Sequence, residues 1–191
     1  MRPSDLSNFK LLPAALGPIE QICFITSDIP ASVNFWARTF GAGPFFHMEH
    51  IDLLDVHYRG APIDLDQSIA LGYWDDLQIE FIHQHNDAPS IFTDWTNGKR
   101  CGLHHGMVRS ADVERTRSDL AKVGMTVVQE ARVGAGGEYV FLETGSEDMP
   151  YLEVVRLEPI FDKLFAFMKR AAREWDGTQP LRSVPDISEW S

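Results

Sequence analysis

Two stretches of the chain carry one pattern at one spacing. Gln21 stands seven positions before Asp28, and His105 stands seven before Asp112. Each heads an apolar run, Ile22-Cys23-Phe24-Ile25 and Gly106-Met107-Val108. After each Asp comes a segment with helical spacing that stops at a glycine, Gly41 and then Gly124. Downstream, each copy has a strand-like segment with a glutamate among apolar residues: Leu77-Gln78-Ile79-Glu80-Phe81-Ile82 and Tyr151-Leu152-Glu153-Val154-Val155. An internal duplication constrains the fold strongly, because each copy is one supersecondary unit that buries its apolar face against a neighbour. Each copy also supplies one nitrogen- or oxygen-bearing side chain and one carboxylate. Together the copies supply four, enough for a metal site.

The bulk numbers fit such a pair. A chain of 191 residues forms one domain or two small modules sharing a core, and buries roughly 70% of its unfolded surface without staples. Its 44% hydrophobic and 24% charged residues are those of an ordinary globular protein. A net charge of −11 argues against nucleic acid as a partner. Arg59, Arg109 and Arg132 could still serve a small anion locally. Cys23 and Cys101 lack metal-binding spacing, which fits a reducing compartment. Met1-Arg2-Pro3-Ser4-Asp5 lacks the apolar core of a signal peptide, and no apolar run reaches the ~18 residues of a membrane span. The expected location is cytoplasmic.

Along the chain, residues 1–18 read as an arm with an apolar patch, Phe9 to Leu16. Residues 19–85 read as a βαβββ module: a strand at Gln21–Thr26, a helix capped by Asp28, and strands near 45–59, 67–73 and 77–84. Pro30 sits in the helix's first turn, and Gly41 supplies its left-handed stop. Residues 86–101 are polar and read as a linker. Residues 102–157 repeat the module, with a strand at Leu103–Arg109, a helix capped by Asp112, and strands at Thr126–Ala131, Glu138–Glu143 and Tyr151–Leu157. Residues 158–176 read as a C-terminal helix with Phe161, Leu164, Phe165, Met168, Ala172 and Trp175 on one stripe. Residues 177–191 read as an irregular polar tail. The class is α+β.

Side chains alternate across a strand. Gln21 therefore shares a face with Cys23, Glu80 with Gln78, His105 with Met107, and Glu153 with Tyr151. A glutamate amid apolar residues is costly unless paired or bound to a metal, and two at matching places in two repeats make a stronger case than one. The shared spacing to the capping Asp selects His105 over His104, which alternation turns the other way. His83 and His85 lie off the Glu80 face. Gly134-Ala135-Gly136-Gly137 runs into a strand and reads as a hairpin turn, not a phosphate loop. Trp36, Phe45, Phe46, Trp74 and Trp95 are core residues by default, with an aromatic-lined pocket as the other reading.

The text Gln21-Ile-Cys-Phe-Ile-Thr-Ser-Asp28-Ile-Pro, with Phe35-Trp36 and Phe40-Gly41-Ala-Gly-Pro44, is similar to the first module of the vicinal oxygen chelate superfamily. Gly102-Leu-His-His105 is similar to the opening of its second. The order Gln21, Glu80, His105, Glu153 resembles the glyoxalase I branch in particular. The resemblance covers residues 19–157 and implies two modules whose sheet curls around one divalent metal held by these four residues.

One imidazole and three oxygen ligands suit zinc, nickel, cobalt, manganese or iron. Such a metal can chelate vicinal oxygens and stabilise an enediolate. The resemblance gives Glu153 the role of base, with Glu80 as its counterpart on the opposite face. The implied function is that of a metal-dependent lyase, isomerase or epimerase moving a proton next to a carbonyl. In glyoxalase I, arginines four positions after the first ligand and four before the histidine help hold glutathione; Ile25 and Cys101 stand there in this chain. An extradiol-type dioxygenase, which uses two histidines and one carboxylate, and a non-catalytic binding member of the superfamily stay open as alternatives. The expected partners are a small molecule with vicinal oxygens and a second copy of the chain.

Overall fold

In the computed structural model of this protein, residues 16–97, 101–134 and 136–186 are described. Residues 1–15 of the N-terminal arm, which hold most of its apolar patch, lie outside them, as do residues 98–100 of the linker, Ala135, and residues 187–191.

The two copies fold alike. In the first, β1 (Gln21–Ile25) leads into α1 (Ile29–Phe40). In the second, β7 (Gly102–Arg109) leads into α3 (Val113–Ala121). The Asp28 carboxylate accepts from Ala31 N at 2.8 Å and the Asp112 carboxylate from Arg115 N at 2.9 Å, satisfying first-turn donors that the helix leaves free. Behind each Asp the same local network recurs. Asp28 N–H donates to Thr26 Oγ1, which meets Ser32 Oγ at 2.7 Å; Asp112 N–H donates to Ser110 Oγ, which meets Thr116 Oγ1 at 2.8 Å. Gly41, at φ 67°, closes α1 by donating its N–H to Ala37 O. The second helix stops at Ala121, and a turn ending in Gly124 follows it.

The strands form one mixed sheet with α-helices packed on it, an α+β fold. Besides β1 and β7 it contains β2 (Phe45–Met48), β3 (Leu53–Tyr58), β4 (Ala61–Pro62), β5 (Gln67–Trp74), β6 (Leu77–Gln84), β8 (Thr126–Val133), β9 (Gly137–Glu143), β10 (Tyr151–Leu157) and β11 (Leu181–Ser183). Their order is β11-β2-β5-β6-β1-β7-β10-β9-β8-β3-β4. The repeat is visible in it: β2-β5-β6-β1 mirrors β8-β9-β10-β7, and β1 joins β7 antiparallel at the centre.

The structure corrects four readings of the sequence. Residues 45–59 are not one strand. His50, at φ 47°, interrupts them, and β3 leaves its own module to pair with β8 at the far edge. The polar linker contains a short helix, α2 (Ile91–Asn97), anchored by buried Ile91 and Phe92. The C-terminal helix, α4 (Pro159–Arg173), ends before Trp175, whose indole N–H donates to Thr178 O. The tail carries β11, which pairs with β2.

The crossing from β2 to β3 shows how far the sheet curls. Five residue steps from Met48 to Leu53 reach at most about 17 Å, yet they connect opposite ends of the strand order. Ile51 N–H donates to Gln67 O in the first half, while Asp52 O accepts from Gly134 N in the second, each at 3.0 Å. The sheet thus wraps back on itself, with one apolar cluster inside it around Cys23, Ile82, Met107 and Phe141. α1 and α3 cover its outer face over two further clusters. α4 packs Leu164, Phe165 and Met168 onto Phe46, Leu71 and Tyr73.

Candidate metal centre

Four central strands carry the four residues singled out by the repeat. Register pairs Cys23 with both Glu80 and His105, Gln21 with Met107, and Met107 with Glu153, so the four side chains converge within one chain. Gln21 Nε2 donates to Glu80 Oε2 at 2.6 Å. His105 Nε2 lies 3.8 Å from Glu80 Oε2 and 3.4 Å from Glu153 Oε2. The imidazole is fully buried, and the two carboxylates are about nine-tenths so. Cys23, on the same face, forms with Glu80 and His105 a group whose sulfur, oxygen and nitrogen atoms lie within 4.8 Å of one another.

His104 departs from the alternation expected of it. β7 bulges opposite Cys23 and Phe24, whose partners are His105 and Leu103, and His104 is the extra residue. It turns inward, fully buried, stacked on Tyr151 and against Phe92 and Trp95. Its Nδ1 meets His105 Nδ1 at 2.8 Å, and its Nε2 faces Ile91 O at 3.4 Å. A carbonyl only accepts, so His104 carries its proton on Nε2. Its Nδ1 then accepts, and His105 carries its proton on Nδ1. His105 Nε2 is left with a lone pair and no hydrogen-bond partner, aimed between two carboxylates.

The electrostatics point the same way. Burial pushes His105 down to about 3, so it is a neutral imidazole. Burial raises both Glu80 and Glu153, and the Glu153 charge raises Glu80 further, while the Cys23 and Gln21 side chains beside it pull it back. Burial and the nearby Glu80 likewise raise the Cys23 thiol. A bare imidazole lone pair beside two buried carboxylates that resist ionising is the complement of a cation. The donor set, one imidazole nitrogen, two carboxylates and one amide oxygen, fits a borderline or hard divalent ion with positions left open.

A cavity of about 130 Å³ opens onto the site, with Gln21, Glu80 and Glu153 among its lining. Its walls are mostly apolar, including Ile69, Met107 and Phe141, and α4 closes it with Phe161, Leu164 and Phe165. The aromatic residues named from the sequence lie elsewhere. Trp36 and Trp74 pack with Phe24, Phe40 and Phe81 around α1, Phe45 sits under that helix, Phe46 lies beneath α4, and Trp95 contacts His104. The three arginines named as anion handles are already paired: Arg59 with Asp94 and Glu143, Arg109 with Glu20 and Asp162, Arg132 with Asp55. Among the described residues no Lys or Arg lines the cavity. A larger polar cleft of about 470 Å³ runs between α3 and β8–β9; none of the quartet lines it, and its Arg117, Arg132 and Arg156 are each ion-paired. His83 and His85 stay outside the quartet. His83 Nδ1 lies 3.1 Å from Thr26 O, and His85 groups near the surface with His50 and Asp66. β8 pairs antiparallel with β9 on either side of the glycine-rich segment, so the chain runs there from strand to strand and not from strand to helix; Ala135 lies outside the described residues.

A mixed sheet built from two βαβββ repeats, curled around an inward-facing cluster of nitrogen- and oxygen-bearing side chains, defines the fold class. The chain belongs to the Glyoxalase/Bleomycin resistance protein/Dioxygenase superfamily, whose family model matches residues 20–141. No curated protein matches it by sequence. Among solved structures it is similar to a methylmalonyl-CoA epimerase from Mycobacterium tuberculosis, at 12% identity, covering 82% of this chain and 99% of that one, with a TM-score of 0.53. It is also similar to a hypothetical protein from Bacillus halodurans, at 14% identity, covering 74% and 94%, with a TM-score of 0.52. These likenesses are of fold. Among the described residues, no helix is long and apolar enough to cross a membrane.

Proposed function

We propose that the protein is a metal-dependent lyase, isomerase or epimerase that moves a proton on the carbon beside a carbonyl. One observation carries this reading: the unpartnered His105 Nε2 set between the buried carboxylates of Glu80 and Glu153. Gln21, Glu80, His105 and Glu153 would hold the ion. When bound, a divalent cation supplies electrostatic stabilisation of negative charge on substrate oxygens.

The remaining chemistry belongs to the side chains. Glu80 is tied by Gln21, whereas the close contact of Glu153 is the His105 edge at 3.4 Å. Glu153 is thus the freer carboxylate and the better base, taking the proton from carbon. Glu80 faces the cavity too and can return a proton to the same carbon from the other side, which inverts the centre; return by Glu153 to the neighbouring carbon gives isomerisation. The apolar walls exclude water from the carbanionic species. The epimerase named among the similar structures is an example of such chemistry on this fold. The dioxygenase alternative needs a second histidine ligand, and His104 turns its Nδ1 to His105 instead.

Proton exchange tests the reading. Metal-loaded protein in D2O should place deuterium on the carbon beside the carbonyl of an α-hydroxy ketone or thioester. Glu153→Gln should lower that rate about 10²–10⁴-fold with its metal still bound. Exchange at the wild-type rate in that variant would remove Glu153 from the reaction. Full metal retention in a His105→Ala/Glu153→Ala double variant would remove the metal assignment.

A further inference from the structure

Two polar atoms of the cavity lining, besides His105 Nε2 of the quartet, are buried without a partner: Tyr139 Oη and Gln67 Oε1. Both residues line the cavity, at 6% and 4% exposure, on β9 and β5, opposite sides of the curled sheet. A hydroxyl or amide oxygen withdrawn from water without a partner is costly, so such groups in a native interior call for an explanation. Neither atom is a metal ligand by placement. One offers an O–H to donate and the other a carbonyl oxygen that accepts. The rest of the lining is apolar apart from the ligand residues, and among the described residues it holds no cation.

We infer that the site takes a neutral, ring-sized apolar molecule, one oxygen of which accepts from the Tyr139 hydroxyl while a hydroxyl or N–H of the same molecule donates to Gln67 Oε1. This rests on the reading of the site as a proton-transfer centre and adds the class of substrate. Charge decides against an anion: Glu80 and Glu153 share the cavity, and Arg59, Arg109 and Arg132 are committed to other carboxylates. Size limits the apolar body to one ring at most, since an apolar cavity of about 150 Å³ holds benzene and this one is about 130 Å³. An aryl or short alkyl α-hydroxy ketone has the required parts: an apolar body, a carbonyl oxygen and an adjacent hydroxyl.

The test uses 2-hydroxyacetophenone and its 4-carboxylate, titrated calorimetrically into zinc-loaded protein, with metal content measured for every sample. The neutral probe should bind at least about a hundredfold more tightly than the carboxylate, which would bring an unpaired charge into an apolar cavity. Tyr139→Phe keeps the ring and should weaken the neutral probe about tenfold, and Gln67→Leu similarly, with thermal midpoints showing both variants folded and metal content unchanged. Equal affinity for the two probes overturns the substrate class. Wild-type affinity in both variants overturns the two handles. If the protein binds no zinc yet still prefers the neutral probe and loses it in Tyr139→Phe, the metal reading fails and this inference stands. If zinc binds and the preference is absent, the reverse holds.

Discussion

His104 Nδ1 lies 2.8 Å from the Nδ1 of its chain neighbour His105, and this contact decides which nitrogen of His105 faces the carboxylates. A ligand histidine generally has its second nitrogen held by an acceptor that fixes ring and tautomer. In most such pairs the acceptor is a carboxylate or carbonyl; for His105, the proposed ligand, it is another imidazole, itself anchored on Ile91 O. His104→Phe preserves the stacking on Tyr151 but removes the acceptor. Zinc or cobalt affinity should fall about 10–100-fold, read by competition with a chromophoric chelator, while the fold persists.

Stability of the metal-free protein should depend on pH with a definite sign. Glu80 and Glu153 are raised in the folded state from an ordinary 4.5, so the stability they contribute is full below that value and is lost as pH rises towards about 8. His105, depressed from 6.5, acts in the other direction, but only below 6.5, where the unfolded imidazole takes up a proton. Between 6.5 and about 8 the carboxylates act alone. The melting temperature of chelator-treated protein should fall across that window, and zinc should remove the fall, because metal competes with the protons. A flat apo profile would mean that the carboxylates are not buried together.

The roof of the cavity should be energetically expensive to thin. Leu164 is 2% exposed, lines the cavity and packs against Phe46, Leu71 and Tyr73 of the sheet. Leu164→Ala should cost about 2–5 kcal/mol in denaturant unfolding. The void opens into the cavity, so bulkier aryl probes should gain affinity relative to 2-hydroxyacetophenone even as the protein loses stability.

Redox chemistry offers a clean discrimination. With one histidine and two carboxylates in the set, zinc-loaded protein should catalyse proton exchange under strict anaerobiosis as well as in air. Oxygen uptake in step with product formation by iron-loaded protein would favour the dioxygenase instead.

Much of this was legible from spacing alone. The matched offsets of Gln21 from Asp28 and of His105 from Asp112 report a duplicated strand–helix unit, and the caps form as that spacing implies. The two glutamates stand out because charge in an apolar strand needs a reason. What alternation could not supply was His104: a bulge is a defect of period two, and nothing in Gly102-Leu-His-His105 marks which residue is extra. The departure of β3 was equally hidden. Pairing partners of a strand with β8 are set by the tertiary curl, while the local text of residues 45–59 reads the same in either place. Tyr139 and Gln67 carried no signal, since an unpartnered oxygen is visible only once its surroundings are known.

The crossing of β3 has a consequence for how the two repeats depend on each other. By chain order the β3–β4 hairpin belongs to the first repeat; by pairing it finishes the edge of the second. Severing the chain in the polar segment around α2 would therefore not release two small proteins. One fragment would carry a hairpin with nothing beside it, and the other would show the bare edge of β8, an open template for adhesion between molecules. The repeats are two halves of one clasp, fastened by Ile51 and Asp52, and the cavity exists only while it is shut.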